Sequence, residues 1–148
     1  MRDSEVKRWS AFHRVLYVTT NGALGRRLVG NDMLLLTTRG RRTGEAHTVP
    51  LLYLREGGRL LVIASYGGRA HHPEWYLNLL AEPEVTARVG ARKLAVTART
   101  ASPSERDFWW PKVVAAYSDY AVYQQRTERE IPVVVLEPAA GGRTVSEP

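Results

Sequence analysis

The chain has 148 residues, of which 44% are hydrophobic and 24% charged, the composition of one ordinary globular domain. It contains no cysteine, which excludes disulfides, thiolate metal sites, iron–sulfur clusters and a cysteine nucleophile. The formal net charge is +6, and it is local: residues 1–44 hold nine basic against three acidic side chains, while the remainder balances. No run approaches the roughly 18 consecutive apolar residues of a membrane-spanning helix. The N-terminus leads into no continuous apolar segment, so no signal peptide is expected.

Taken in chain order, residues 4–18 read as an amphipathic helix. Val6, Trp9, Phe12, His13, Leu16 and Tyr17 form one stripe, and Lys7, Arg8 and Arg14 lie off it. Such a helix either docks on the domain or lies on an anionic membrane surface. Residues 33–38 form a short apolar run with β-branched residues at its end, the pattern of a buried strand. A glycine-punctuated turn, Arg39-Gly40-Arg41-Arg42-Thr43-Gly44, leads to an extended segment over about 46–55. Glu56-Gly57-Gly58 is a hairpin signal before a third strand over 59–65.

The loop from Tyr66 to His72 precedes Pro73 and a short helix over 74–81, ended by Pro83. Strands follow at 84–89 and 92–100, the second alternating Leu94, Val96 and Ala98 with polar residues. Ser102-Pro103-Ser104-Glu105 has the form of a capping box, and Pro111 should kink or restart the helix that follows. A further helical piece is expected at 117–126, a last strand at 131–136, and a flexible tail at 139–148. About six largely antiparallel strands with few crossovers and short helices outside predict a mainly β fold, an antiparallel barrel in a single domain over residues 1–138.

The chain carries no G-x-G-x-x-G, Walker A, G-x-S-x-G or H-E-x-x-H motif. Its four histidines lack metal-ligand spacing, so no metal site is expected. Net charge and arginine permit nucleic-acid binding, but no motif for it is present, and none is expected. Three stretches remain as candidate chemistry. The 39–44 turn projects three arginines with no acid before Glu45, either a grip for phosphate or carboxylate or a solvated hairpin tip. Ser65-Tyr66-Gly67-Gly68 joins a strand to a helix, where backbone amides can face an anion or a planar ligand, unless it is a plain connection. Tyr117, Tyr120 and Tyr123 recur every three residues, so they share a helical face that either packs in the core or walls a pocket with phenol donors.

Four stretches in order carry a resemblance: Leu34 to Gly44, Ser65 to Gly68, Pro73 to Leu79 and Arg129 to Pro138. Over about residues 14–138 the chain resembles the deazaflavin-dependent nitroreductase family, whose members use coenzyme F420. That resemblance implies a split β-barrel. It implies that Arg41, Arg42 and Thr43 hold the cofactor's phosphodiester and glutamate tail, with His47 and Pro50 nearby. Ser65, Tyr66, Gly67, Gly68, Trp75 and Tyr76 would line the deazaflavin and its ribityl chain. Tyr117, Tyr120 and Tyr123 match the substrate-side tyrosines, with Tyr120 expected to orient the acceptor. The implied activity is hydride transfer from F420H2 to a quinone, an activated alkene or a nitroaromatic compound. Tyr66 stands where the family often has lysine, and His47 where arginine is common, so each removes a permanent charge beside the expected cofactor. The rival readings are a split barrel that binds flavin mononucleotide or heme, and a non-enzymatic deazaflavin carrier. The expected location is the cytoplasm, with peripheral contact at the inner membrane face if the first helix binds lipid. The sequence leaves monomer and homodimer open.

Overall fold

The computed structural model describes residues 33–139 and 144–145. The expected helix over 4–18 and most of the expected tail lie outside the described residues.

Met33–Arg39 forms β1, and its first four residues are all buried. Side chains alternate across a strand, so Leu34 and Leu36 enter one cluster while Met33 and Leu35 enter another. The Arg39–Gly44 turn reverses the chain into β2 (Ala46–Leu52), which pairs antiparallel with β1. The single segment expected over 46–55 is two strands. Tyr53 separates β2 from β3 (Leu54–Glu56), and β3 pairs instead with β4 (Arg59–Ile63). The chain changes partner at that corner, which alternation in the sequence does not reveal. Gly57, at a φ of 64°, completes the hairpin signalled by Glu56-Gly57-Gly58.

A short helical turn at Tyr66–Gly68 precedes α1 (Glu74–Ala81). Strands β5 (Glu84–Val89) and β6 (Arg92–Thr100) form the expected hairpin. Helix α2 (Pro103–Ala116) starts on the expected capping box: Ser102 Oγ accepts from the Glu105 amide, and Glu105 Oε1 accepts from the Ser102 amide. It continues through Pro111 as one helix. Helix α3 (Asp119–Gln125) carries Tyr120 and Tyr123. The last long strand, β7, spans Val133–Pro138, two residues later than expected, because Pro132 has no N–H to give a ladder. Thr144–Val145, inside the stretch read as a tail, forms β8 against the start of β6.

The strand order is β2-β1-β5-β6-β7-β4-β3, with every neighbour antiparallel and β2 brought up beside β4. The result is a curled split-barrel sheet. In β4 and β7, Leu60, Val62, Val134 and Leu136 face the barrel core with Trp75, Tyr76 and Leu79 of α1. Leu61, Ile63, Val133 and Val135 face the opposite side, where Trp109, Val113 and Tyr120 cover them. Both strands read as unbroken apolar runs because both of their faces are covered.

Candidate functional site

The turn after β1 is held from within and from α1. The Gly40 amide donates to Glu45 O at 2.7 Å, the Gly44 amide to Gly40 O at 2.8 Å, and Gly44 has a φ of 78°. A Cβ at Gly40 would stand 3.0 Å from both His47 Nε2 and Thr43 Oγ1, so glycine lets the His47 ring pack onto the turn. Arg41 donates through Nη1 to Glu74 Oε2 at 2.7 Å and to Asn78 Oδ1 at 2.8 Å, and its amide also donates to Asn78 Oδ1. Arg39 lies 3.8 Å from Glu82. The expectation that no acid pairs this cluster is therefore corrected: Glu74 and Glu82 arrive from α1 and its C-terminal end, distant in sequence. Arg42 is exposed, and its side chain pairs with no described residue. Thr43 is exposed, and its hydroxyl accepts from the Glu45 amide at 3.2 Å. Pro50 is buried opposite Leu35 in β2, an edge strand that tolerates proline.

The second segment, Ser65 to His72, has an unusual backbone. Ser65 is right-handed (φ −76°, ψ −37°), and Tyr66, Gly67 and Gly68 follow with φ of 48°, 65° and 80°. A right-handed residue followed by a left-handed one turns successive amides toward a common point, the geometry of an anion-binding concavity. Tyr66 has no glycine's freedom there, so the surroundings must hold it. The Arg69 guanidinium lies 4.0 Å from its ring centroid, and the His71 ring is 5.6 Å away. A Cβ at Gly68 would fall 2.5 Å from Tyr123 O and 2.9 Å from Arg126 Cβ, so this loop is pressed against α3.

Trp75 and Tyr76, expected to line a ring, fill the barrel core at 8% and 6% exposure. Tyr76 touches the loop through His72 (ring centroids 4.8 Å apart) and anchors α1 to β6 through a 2.7 Å contact with Thr100 Oγ1.

Tyr120 and Tyr123 lie on α3 as their spacing predicts, but Tyr117 is not on that helix: it ends α2 with a non-helical backbone (φ −140°), and α3 starts only at Asp119. Tyr120 is edge-on to both Tyr117 and Tyr123, with centroids 6.0 Å apart in each pair. They differ in chemistry. Tyr117 donates its hydroxyl to Tyr53 O at 3.0 Å. Tyr120 is buried, and its hydroxyl bonds to no described residue. Burial first, then the neighbouring phenols and Asp119, push its pKa well above that of a free tyrosine, so it keeps its proton. Tyr123 is shifted the same way by burial and Asp119, with Arg126 opposing.

Turn, loop and tyrosine helix thus form one continuous region. Arg41 ties the turn to α1, the loop runs into α1, and Gly68 abuts α3. The sequence reading missed Asn78, Arg126 and Arg129. Arg129 and Asn78 both stand inside stretches that carry the resemblance, and Asn78 is also a polar residue in an apolar helix.

The curled, antiparallel sheet places the chain in the class of split-barrel proteins. The model of the F420H(2)-dependent quinone reductase family matches residues 9–138. The chain is 41% identical over 128 residues to an F420H(2)-dependent quinone reductase of Mycobacterium tuberculosis, covering 84% of this chain and 86% of that protein. A solved F420-H2 dependent reductase, FDR-A, is similar at 41% identity and a TM-score of 0.66, over 72% of this chain and 94% of that one. A second structure, described as a domain-swapped dimer, is 35% identical with a TM-score of 0.68, over 88% of this chain and 98% of that one. The chain belongs to the F420H(2)-dependent quinone reductase family, a family of oxidoreductases.

Proposed function

We propose that this chain takes hydride from reduced coenzyme F420 and delivers it to a quinone. The observation that carries this reading is the junction at α1, where an exposed cation and an amide-lined concavity border one continuous edge beside a protonated phenol. The residues suit the cofactor. Arg42 offers a guanidinium to an anionic tail, with Thr43 beside it, and the Ser65–Gly67 backbone offers amides near a ring or ribityl chain, the Gly68 amide being bonded to Ser65 O. Arg41 supports this grip from behind, because α1 already holds its guanidinium. When bound, the deazaflavin supplies a hydride-donating ring carbon, and the protein supplies position and electrostatics.

Tyr120 is the phenol best suited to orient an acceptor, since Tyr117 is committed to Tyr53 and Tyr120 is not. Like any phenol it is a hydrogen-bond donor throughout the neutral range, and burial raises its pKa further. Tyr123 shares the face as a half-buried second donor. Activated alkenes and nitroaromatics fit the same role as hydride acceptors.

The likeness to a domain-swapped dimer supports a homodimer, which sedimentation would test. Among the described residues no helix is long and apolar enough to cross a membrane. Contact of residues 4–18 with an anionic surface would suit a lipid-soluble quinone. Co-sedimentation with anionic liposomes at low salt tests it.

The deciding experiment is a fluorescence titration with F420, run beside flavin mononucleotide, followed by an acceptor panel. Saturable binding of F420 and quinone-dependent oxidation of F420H2 are expected. Preference for flavin mononucleotide would replace the cofactor and keep the fold. Binding of F420 with no turnover on any acceptor would make the protein a carrier.

A further inference from the structure

Arg129 lies in the segment between α3 and β7, and one guanidinium there gathers both ends of the Ser65–His72 loop. Nε donates to Arg69 O at 2.9 Å, Nη1 to Ala64 O at 3.2 Å, and Nη2 to Ser65 O at 2.7 Å. Nη1 also lies 2.9 Å from His72 Nδ1. Guanidinium presents five donors in a fixed planar fork, so these acceptors are held in one mutual geometry that an ammonium could not impose. The loop needs such a brace. Its left-handed run includes Tyr66, a conformation that is unfavourable for a non-glycine residue.

Resting on the reading of this loop as part of the cofactor site, we propose that Arg129 is a positioning residue: it shapes the Ser65–Gly68 concavity and so sets cofactor affinity without touching the cofactor.

The same contacts give the brace a pH dependence. Arg129 is always a donor, so His72 Nδ1 accepts from it only while that nitrogen carries no proton. The groups facing His72 are Arg129, the adjacent His71, and Tyr76 of α1, with Arg69 bonded to His71 at 3.0 Å. Burial, then the charge of Arg129, then His71, lower the His72 pKa below 6.5. The unfolded chain therefore binds the His72 proton more readily than the folded one. The stabilising contribution is complete above the ordinary value and is lost as pH falls below it.

Two readouts test the proposal on the full-length protein. Arg129→Lys keeps the charge and removes the fork. Hydrogen exchange at the Gly68 and Arg69 amides, which close the loop onto Ser65 O and Tyr66 O, should accelerate without ligand while sheet amides stay protected. The F420 dissociation constant should rise about tenfold or more, with kcat at saturating cofactor changed far less. His72→Asn, which retains an acceptor, should flatten the loss of F420 affinity seen on acidification. Unchanged loop exchange in Arg129→Lys would overturn the inference, as would faster exchange with the dissociation constant held within twofold. Failure of the unsubstituted protein to bind F420 would overturn the functional reading. That result is separable, because the exchange comparison needs no ligand.

Discussion

The Arg39–Gly44 turn and the Ser65–His72 loop are both punctuated by glycine, and both abut α1. They use charge in opposite ways. In the turn, Arg41 is drawn inward to Glu74 and Asn78, and Arg42 is left exposed. In the loop, the organising charge comes from outside the segment, and Arg129 points at carbonyls rather than at solvent. One segment leaves a cation at the surface; the other uses a cation to shape its backbone. A count of arginines, three in the turn and one in the loop, does not show this difference, which lies in their partners.

Gly68→Ala should break the loop side of this comparison most severely. It combines a φ of 80° with a Cβ 2.5 Å from Tyr123 O, so a loss of about 3 kcal/mol is expected, read as a lower thermal midpoint. Asn78→Ala should detach the turn from α1. It removes the acceptor of the Arg41 amide and guanidinium, which should cost about 2 kcal/mol in denaturant unfolding. Tyr120→Phe leaves the fold intact and should lower quinone turnover about tenfold or more; turnover within twofold of the unsubstituted enzyme would remove its orienting role. Arg42→Ala should weaken F420 binding about fivefold, diminish its salt dependence and leave the thermal midpoint unchanged. That pattern would sharpen the contrast with Arg129→Lys, which alters loop exchange as well.

The smallest expected effect lies away from the site. Hydrogen bonds from Arg99 (2.7 and 2.9 Å), then the Ser102 amide, lower the Glu105 pKa from 4.5 to about 2. A depressed carboxyl stabilises the fold above its unfolded value, and the gain is lost as pH falls toward about 2. Glu105→Gln should remove that part of the acid denaturation profile.

Much of the fold was legible because its signals are local. The 33–38 strand, the Glu56-Gly57-Gly58 hairpin and the Ser102–Glu105 cap are each written within a few residues. The Tyr53 corner was not, since residues 46–55 keep a strand-like pattern while their pairing partner changes from β1 to β4. The site divides the same way. The spacing of three predicted one helical tyrosine face, which holds for Tyr120 and Tyr123; Tyr117 meets Tyr120 edge-on from the break before α3 instead. Nothing local says that Tyr117 is bonded to Tyr53, 64 positions away. The Arg41–Asn78 and Arg129–Arg69 contacts span 37 and 60 positions, and pattern reading has no reach over such distances.

Strand β7 carries a consequence for how the chain reaches its native state. Val133, Val134, Val135 and Leu136 are fully apolar and strongly β-forming, and their partner β4 was synthesised some 70 residues earlier. The other partner of β7, β6, is about 35 residues away, so the β4 side of β7 is the edge that pairs over the longest, slowest-closing loop. Pro132 precedes it and Pro138 ends it. Neither can donate to a neighbouring strand, so the pair act as gatekeepers against intermolecular cross-β growth. Pro132→Ala should fold to the same sheet and lower the concentration at which the refolding chain aggregates.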